Sequence, residues 1–423
     1  MWLITDPVGA RGRRPAGRRR LAAWGLYGVV CAGLAGVTAC TAAGAPIRGA
    51  QLIDVRLDGD HLEQLFAGLE QARVNTVILR VFEEGGAPAK TGVYFRTSWA
   101  PVLEDRLAPI LAAAHRRGMH VYAWMTTMVQ PWLLPRHPSW AVLAYDYRSH
   151  AYVPMDGRRP IWHGTSGWSY GAKVSIFIEE HRRLLERLYL DLAQYAIDGI
   201  LLQDDLGFSD QEDYHPAARA AFHGHFARPL DPLAMFDRNG EPTPALWEWQ
   251  RWKAERLLAY AGELMAAVHR HRPGLPFLLN VSWETVREPG VGLRYSAQDL
   301  DLAREFGFSR FALMAYHRDM AAARGLSLEA AVAELATLTG EAARRLGGPD
   351  RVLVKLHLLD WAAGDRASQG TGQPLPGVEV ERAVRAVLMG GGRHIAYFPH
   401  RSDLPLATLG QAFAPEAEPS VAR

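Results

Sequence analysis

Cysteine is almost absent from this 423-residue chain: Cys31 and Cys40 are the only two, and both precede residue 41. The rest of the protein has no thiol. That excludes a disulfide framework, a cysteine zinc site and a cysteine nucleophile from its body. An excess of charge of one sign is also missing. Lys and Arg number 47 against 45 Asp and Glu, for a net charge of +2, and much of the basic excess lies in the first twenty residues. The remainder is close to neutral and offers no basic surface for nucleic acid. No Gly-rich phosphate loop follows the first strand-like run, and no HxxxH pairing occurs. A metal site would have to draw on Asp204, Asp205, Asp210, His163 and His215, which lack metal-ligand spacing. Neither a metal nor a cofactor is expected.

What remains is the composition of an ordinary globular protein, 48% hydrophobic and 22% charged, long enough for one large α/β domain or two smaller ones. The Trp count of 13 is high. Indole rings serve as stacking platforms for sugars as well as core residues. The N-terminal segment, residues 1–40, reads as an export signal. Residues 11–20 are strongly basic, residues 21–39 are apolar and small, and Val37-Thr38-Ala39-Cys40 resembles a bacterial lipobox with Cys40 as the lipidated residue. Arg18-Arg19-Arg20-Leu21 also has the look of twin-arginine export. An uncleaved anchor and a soluble secreted form are the alternatives, although the apolar run is short for a span of about 20 residues. All three put the body outside the cytoplasm, and the first attaches it to the envelope through a lipid.

After a short linker, 41–48, strand-like and helix-like runs alternate. Strands are expected over 51–57, 76–82, 120–127, 200–204, 277–283, 310–316, 352–358 and 394–399. Helices are expected over 61–73, 104–117, 177–195, 216–226, 245–270, 297–306, 328–346 and 378–389. No tight hairpin joins any two of the strands. Eight such alternations predict an α/β fold closed as a (β/α)8 TIM-type barrel over 49–405, with a C-terminal tail over 406–423. An open doubly wound sheet is the alternative. A long Pro- and aromatic-rich insertion, 128–175, follows strand three, and its aromatics serve either to stack on sugar or to pack the loop on itself.

In such barrels the functional site forms at the C-terminal strand ends. Those positions hold Arg80, Glu83, Glu84, Trp124, Asn280, Trp283, Glu284, Tyr316, His317, His357, Asp360, Trp361, Tyr397 and His400. Strand four ends in the most unusual stretch of the chain, where Ile200-Leu201-Leu202 leads into Asp204, Asp205, Asp210, Glu212 and Asp213. Carboxylates crowded beside an apolar run shift their pKa values, bind a cation or face a cationic transition state.

This stretch, Asp-Gly-Ile-Leu-Leu-Gln-Asp-Asp from Asp198 to Asp205 and then Ser209 to Asp213, resembles the C-terminal glycoside hydrolase domain of PgaB-type proteins. Those proteins process the exopolysaccharide poly-β-1,6-N-acetylglucosamine. Shorter matches follow in barrel order: Val121 to Met125, Ser175 with Phe177, Trp249 with Lys253, Asn280, Met314 with Tyr316, Trp361, and Tyr397 with Pro399. The resemblance implies an endo-acting glycoside hydrolase of a partly deacetylated polymer, with other exopolysaccharide export proteins as partners. It implies Asp213 as general acid and Asp205 as its partner, with Asp204 orienting a sugar hydroxyl. Trp124, Asp210, Glu212, Asn280, Trp283, Glu284, Tyr316, His357, Trp361 and Tyr397 would bind substrate, with Glu284 an alternative nucleophile or base. The barrel pattern starts soon after Cys40, so N-deacetylase activity is not expected. Several positions depart from the family: Gln203 stands where His is expected, Lys355 and His357 where Glu and Gln are, and His400 where Asp is. A barrel of the same ancestry that binds polysaccharide without cleaving it is the second functional reading.

Overall fold

The structure, a computed structural model, describes residues 45–85, 90–147, 149–154, 173–360 and 372–413. Cys40, His163 and Trp361 lie outside the described residues, as do Trp162, Trp168 and Tyr170.

Runs of β-branched and aliphatic residues form eight parallel strands: β1 (Arg48–Leu52), β2 (Thr76–Arg80), β3 (His120–Met125), β4 (Gly199–Leu202), β5 (Phe277–Ser282), β6 (Arg310–Met314), β7 (Val352–His357) and β8 (His394–Phe398). Each pairs with its neighbours in sequence, and β1 pairs with both β2 and β8, so the sheet closes into a barrel. These strands are buried along nearly their whole length, as expected when a ring of helices covers a parallel sheet. The principal helices are α1 (Gly59–Gln71), α2 (Leu107–His115), α3 (Glu179–Leu192), α4 (Pro216–Phe226), α5 (Pro244–His271), α6 (Leu328–Leu346), α7 (Gly377–Met389) and α8 (Leu406–Ala412), with shorter ones between β5 and α6, among them His317–Arg324.

Local chemistry sets these boundaries. Asp58 caps α1 by accepting from the His61 backbone N–H at 2.9 Å, and Ser327 caps α6 through Ala330. Pro216 and Pro244 open α4 and α5 at positions where a missing N–H costs nothing. Leu335, Leu338, Ala342 and Leu346 make the buried face of α6 at helical spacing. Gly199 is required on β4. A Cβ there would sit 2.2 Å from the Tyr122 ring, across the rung that pairs these two residues.

Two expected elements differ. The first strand runs over 48–52 rather than 51–57, because residues beyond Leu52 leave the ladder. The helix expected at 297–306 is broken. A helix over Pro289–Ser296 ends on Ala297 with φ +47°, and Asp299 then caps a new turn, Leu300–Ala303.

The described part of the insertion contains an antiparallel pair, Leu143–Asp146 with Ala151–Pro154. Tyr145 packs edge-on to Tyr147 and Tyr152, Tyr147 packs edge-on to Phe236, and Tyr145 and Tyr152 lie tilted against Tyr214. With Trp249, Trp252 and Phe222 they build a second, smaller core. These aromatics therefore pack the insertion onto α4 and α5.

Candidate active site

The chain turns immediately after β4, and its two adjacent acids part company there. Asp205 is fully buried and reaches back to the loop leaving β3. Its oxygens accept from the hydroxyls of Thr126 at 2.6 Å and Thr127 at 2.7 Å. They also accept from the backbone N–H groups of Thr127, Met128 and Val129 at 2.7–2.9 Å. Hydrogen bonds to a charged acceptor are each worth about 1.5–3 kcal/mol. Five donors converging on one carboxylate make Asp205 a clasp between two strand ends.

The remaining acids of the segment are also matched. Arg294 Nε lies 2.8 Å from Asp210 Oδ2. Glu212, 1% exposed, accepts from Lys173 Nζ at 3.0 Å and from the Ser209 backbone N–H at 2.9 Å. Lys253 donates to the carbonyls of Ser209 and Glu212, and burial lowers its pKa to about 7. Asp213 is fully buried and accepts from the Ser175 hydroxyl at 2.5 Å and the His215 N–H at 3.1 Å. Burial raises its pKa to about 6.

Asp204 is half-buried at the barrel mouth. Its charge acts on two groups there. Lys355, from β7, has its pKa lowered to about 8 by burial, and the Asp204 charge opposes that shift. Glu84, just past β2, has its pKa raised to about 8, chiefly by burial and then by the charges of Asp205 and Asp204. The Gln203 side chain holds Glu84 in place, with Nε2 3.2 and 3.1 Å from its two oxygens. Lys355 Nζ donates to Asn280 Oδ1 at 2.9 Å. Aromatic rings floor the mouth. Trp124 stands edge-on to Phe82 and Phe398, whose ring centroids are 5.8 and 6.0 Å away, and Tyr316 and His357 complete the cluster against Phe398.

The profile of hypothetical glycosyl hydrolase family 13 matches residues 54–398, spanning this barrel from the first strand's exit to the last strand's end. The chain belongs to that family. Its barrel is similar to the PgaB (BpsB) glycoside hydrolase domain from Bordetella bronchiseptica, with a TM-score of 0.66 and 24% identity over 84% of this chain and 94% of that one. The catalytic domain of β-amylase from Paenibacillus polymyxa shares the fold at a TM-score of 0.54 and 11% identity, covering 89% of this chain and 100% of that one. Among curated proteins, the poly-β-1,6-N-acetyl-D-glucosamine N-deacetylase of Escherichia coli K12 is 22% identical over 344 residues, 80% of this chain. The chain spans about half the length of that relative, 46%.

Within this family barrel, the structure sorts the residues singled out from sequence. Asp204, Trp124, Asn280, Tyr316 and His357 come together at the mouth. Asp205, Asp210, Glu212 and Asp213 are held by donors that reach in from other loops and helices, and Glu212 Oε1 alone of their oxygens is buried without a partner among the described residues. Tyr397 is fully buried and its hydroxyl pairs with His400 Nδ1 at 2.8 Å; its neighbour on β8, Phe398, is the one that joins the aromatic cluster. Side chains alternate along a strand, so Tyr397 faces away from the mouth. Trp283 is buried in the core, where it opens a short helix, Glu284–Arg287, whose first residue is Glu284. Among the described residues no group of three or more His, Cys, Asp or Glu is arranged to hold a metal. Glu84 is the functional candidate that the acidic motif did not point to; its place at the end of β2 was the available signal.

Proposed function

We propose that the chain is an exported glycoside hydrolase of a β-1,6-linked N-acetylglucosamine exopolysaccharide, with Glu84 and Asp204 as its working carboxylates. One observation carries this reading: two carboxyl groups share the mouth in unlike environments. Glu84, with a pKa of about 8, is protonated at neutral pH beside the charge of Asp204. Glycoside hydrolysis needs such a pair, one group to protonate the leaving oxygen and one to meet the oxocarbenium-like centre. Glu84 takes the first role and Asp204 the second. Tyr316, half-buried and stacked on Phe398, offers an apolar face for a sugar ring, with Trp124 and Phe398 buried beneath it.

The choice of polymer is supported by the similarity to the Bordetella hydrolase domain and to the E. coli protein named for this polysaccharide. Export and attachment through Cys40 belong to the same reading, and a Cys40→Ala protein recovered in the membrane fraction would remove the lipid anchor. The deciding experiment is mass spectrometry of products after incubating the purified protein with poly-β-1,6-N-acetylglucosamine of graded acetylation. Release of oligosaccharides that stops in Asp204→Asn supports the hydrolase. No release at any acetylation level overturns it.

A further inference from the structure

The chain enters its barrel at the end opposite the mouth, and the entry is held from both sides. The Ile47 N–H donates to His394 Nδ1 at 3.0 Å, and the Ile47 carbonyl accepts from the Ile395 N–H at 2.9 Å. The Arg48 N–H donates to Asn75 Oδ1 at 2.9 Å, while Asn75 Nδ2 donates to the Pro46 carbonyl at 2.8 Å. Asn75 precedes β2 and His394 opens β8, so residues 46–48 are pinned to the base of the barrel. Pro46 is six residues past Cys40. Even fully extended, such a stretch spans only roughly 20 Å. A lipid on Cys40 would keep the base near the bilayer, and the mouth lies a strand length farther along β1.

The base is rich in arginine. The segments leading into β2 to β8, residues 72–75, 116–119, 193–198, 272–276, 304–309, 347–351 and 390–393, hold seven arginines against three acids and no lysine. Some of these arginines serve the fold. Arg272 donates to the carbonyls of Ala193, Tyr195 and Ile197, and Arg116 and Arg117 pair with Glu63. Others are left over. Arg73 is exposed, and Arg351 has Nε and Nη2 buried without a hydrogen-bond partner among the described residues. Arg344, in the last turn of α6, is 74% exposed. The base also carries apolar tips. Leu388 and Met389 end α7 at 45% and 85% exposure, just before Gly390 to Gly392 turn the chain into β8.

We propose that the base of the barrel docks on an anionic phospholipid surface, with Leu388 and Met389 among the headgroups, Arg73, Arg344 and Arg351 on lipid phosphates, and the mouth turned away from the membrane. This rests on the Cys40 anchor of the proposed function and adds the docking face and the lipid. Guanidinium groups meet phosphate through a planar fork of donors, and exposed apolar side chains beside them suit the headgroup boundary. The attraction fades within a Debye length, about 8 Å at physiological salt, so a short tether is what brings it into play. The same orientation keeps the Asp204 end of the barrel clear of the anionic surface and open to polymer.

The test uses full-length protein purified from membranes of an exporting host and placed in phosphatidylcholine vesicles with or without phosphatidylglycerol. In a Cys31→Ser background, bimane is attached at Met389→Cys or at Val378→Cys, the 57% exposed position at the mouth-side end of the same helix. Quenching by spin-labelled lipid is expected to be about threefold stronger at 389 than at 378 with phosphatidylglycerol present, and to fall in molar salt and in Arg73→Glu/Arg344→Glu. Equal quenching at the two positions, or stronger quenching at 378, overturns the proposal. So does quenching at 389 that is indifferent to phosphatidylglycerol. Mass spectrometry of the same samples reports acyl groups on Cys40 and separates the two readings. Strong quenching at 389 with Cys40 unmodified removes the lipid anchor and upholds the docking face. Acylated Cys40 without quenching at 389 keeps the anchor and overturns the docking face. The comparison of 389 with 378 stands even where the charge-reversed variant does not fold.

Discussion

Gln203 and Glu84 are joined across 119 positions of the chain by an amide that meets both oxygens of one carboxyl group. The contact spans from the exit of β4 to the exit of β2 and fixes the orientation of a carboxyl whose pKa is about 8. A general acid with that value works below it. Cleavage is therefore expected to hold through neutral pH and to fall as pH rises through about 8, when Glu84 loses its proton. Glu84→Gln is expected to lower kcat by about 10²–10⁴ and to abolish this alkaline limb. A kcat/KM profile of both proteins checks it, and an alkaline limb that persists in the variant assigns the limb to another group.

Asp205 is expected to govern stability. Asp205→Ala removes the acceptor for two hydroxyls and three backbone N–H groups, all in a buried loop. Urea denaturation should show a loss of at least about 3 kcal/mol. Asp205→Asn, which keeps one carbonyl acceptor, should fall between. A variant of full stability and no turnover would instead place Asp205 in the chemistry.

The buried pair Lys173–Glu212 provides a separate check on the network. Removing one partner of a buried ion pair leaves the other charge uncompensated, at a cost of about 3–5 kcal/mol. Lys173→Met should show that loss in chemical denaturation. The double variant Lys173→Met/Glu212→Gln should recover much of it, giving a strongly non-additive cycle.

Asp213 titrates in the opposite sense to most carboxylates. Its folded pKa of about 6 lies above the ordinary value of 3.8, so the folded state holds the proton longer than the unfolded one. Stability from this group is present below 3.8 and is lost as pH rises through 6, by about 3 kcal/mol at 1.36 kcal/mol per pH unit. Asp213→Asn should therefore gain on wild type between pH 4 and 6.5 in paired denaturation curves. It is also expected to retain cleavage; loss of cleavage at full stability would return Asp213 to the role of general acid.

The barrel was legible because each βα unit carries its own local pattern. α4 and α6 run over the expected residues, 216–226 and 328–346, and Gly118 turns the chain after α2 with φ +67°. The fate of the acids was not local. Residues 204–206 lie in a turn, where the alternation of an extended strand no longer says which side chain faces the barrel. The donors that claim Asp205, Asp210 and Glu212 arrive from positions 126–129, 294 and 173. Sequence alone pointed toward Asp205 and Asp213, whereas Asp204 is the acid of the segment placed at the mouth, and its counterpart Glu84 came from strand two.

The clasp at Asp205 also bears on how such a protein diversifies. Its five donors and one acceptor are spent on holding two strand ends together, while the mouth is shaped by Gln203, Asn280 and Lys355 from other rungs. The clasp and the lining of the mouth are thus written in different residues. A change confined to the second set would reshape the mouth and leave the five donors of the clasp in place.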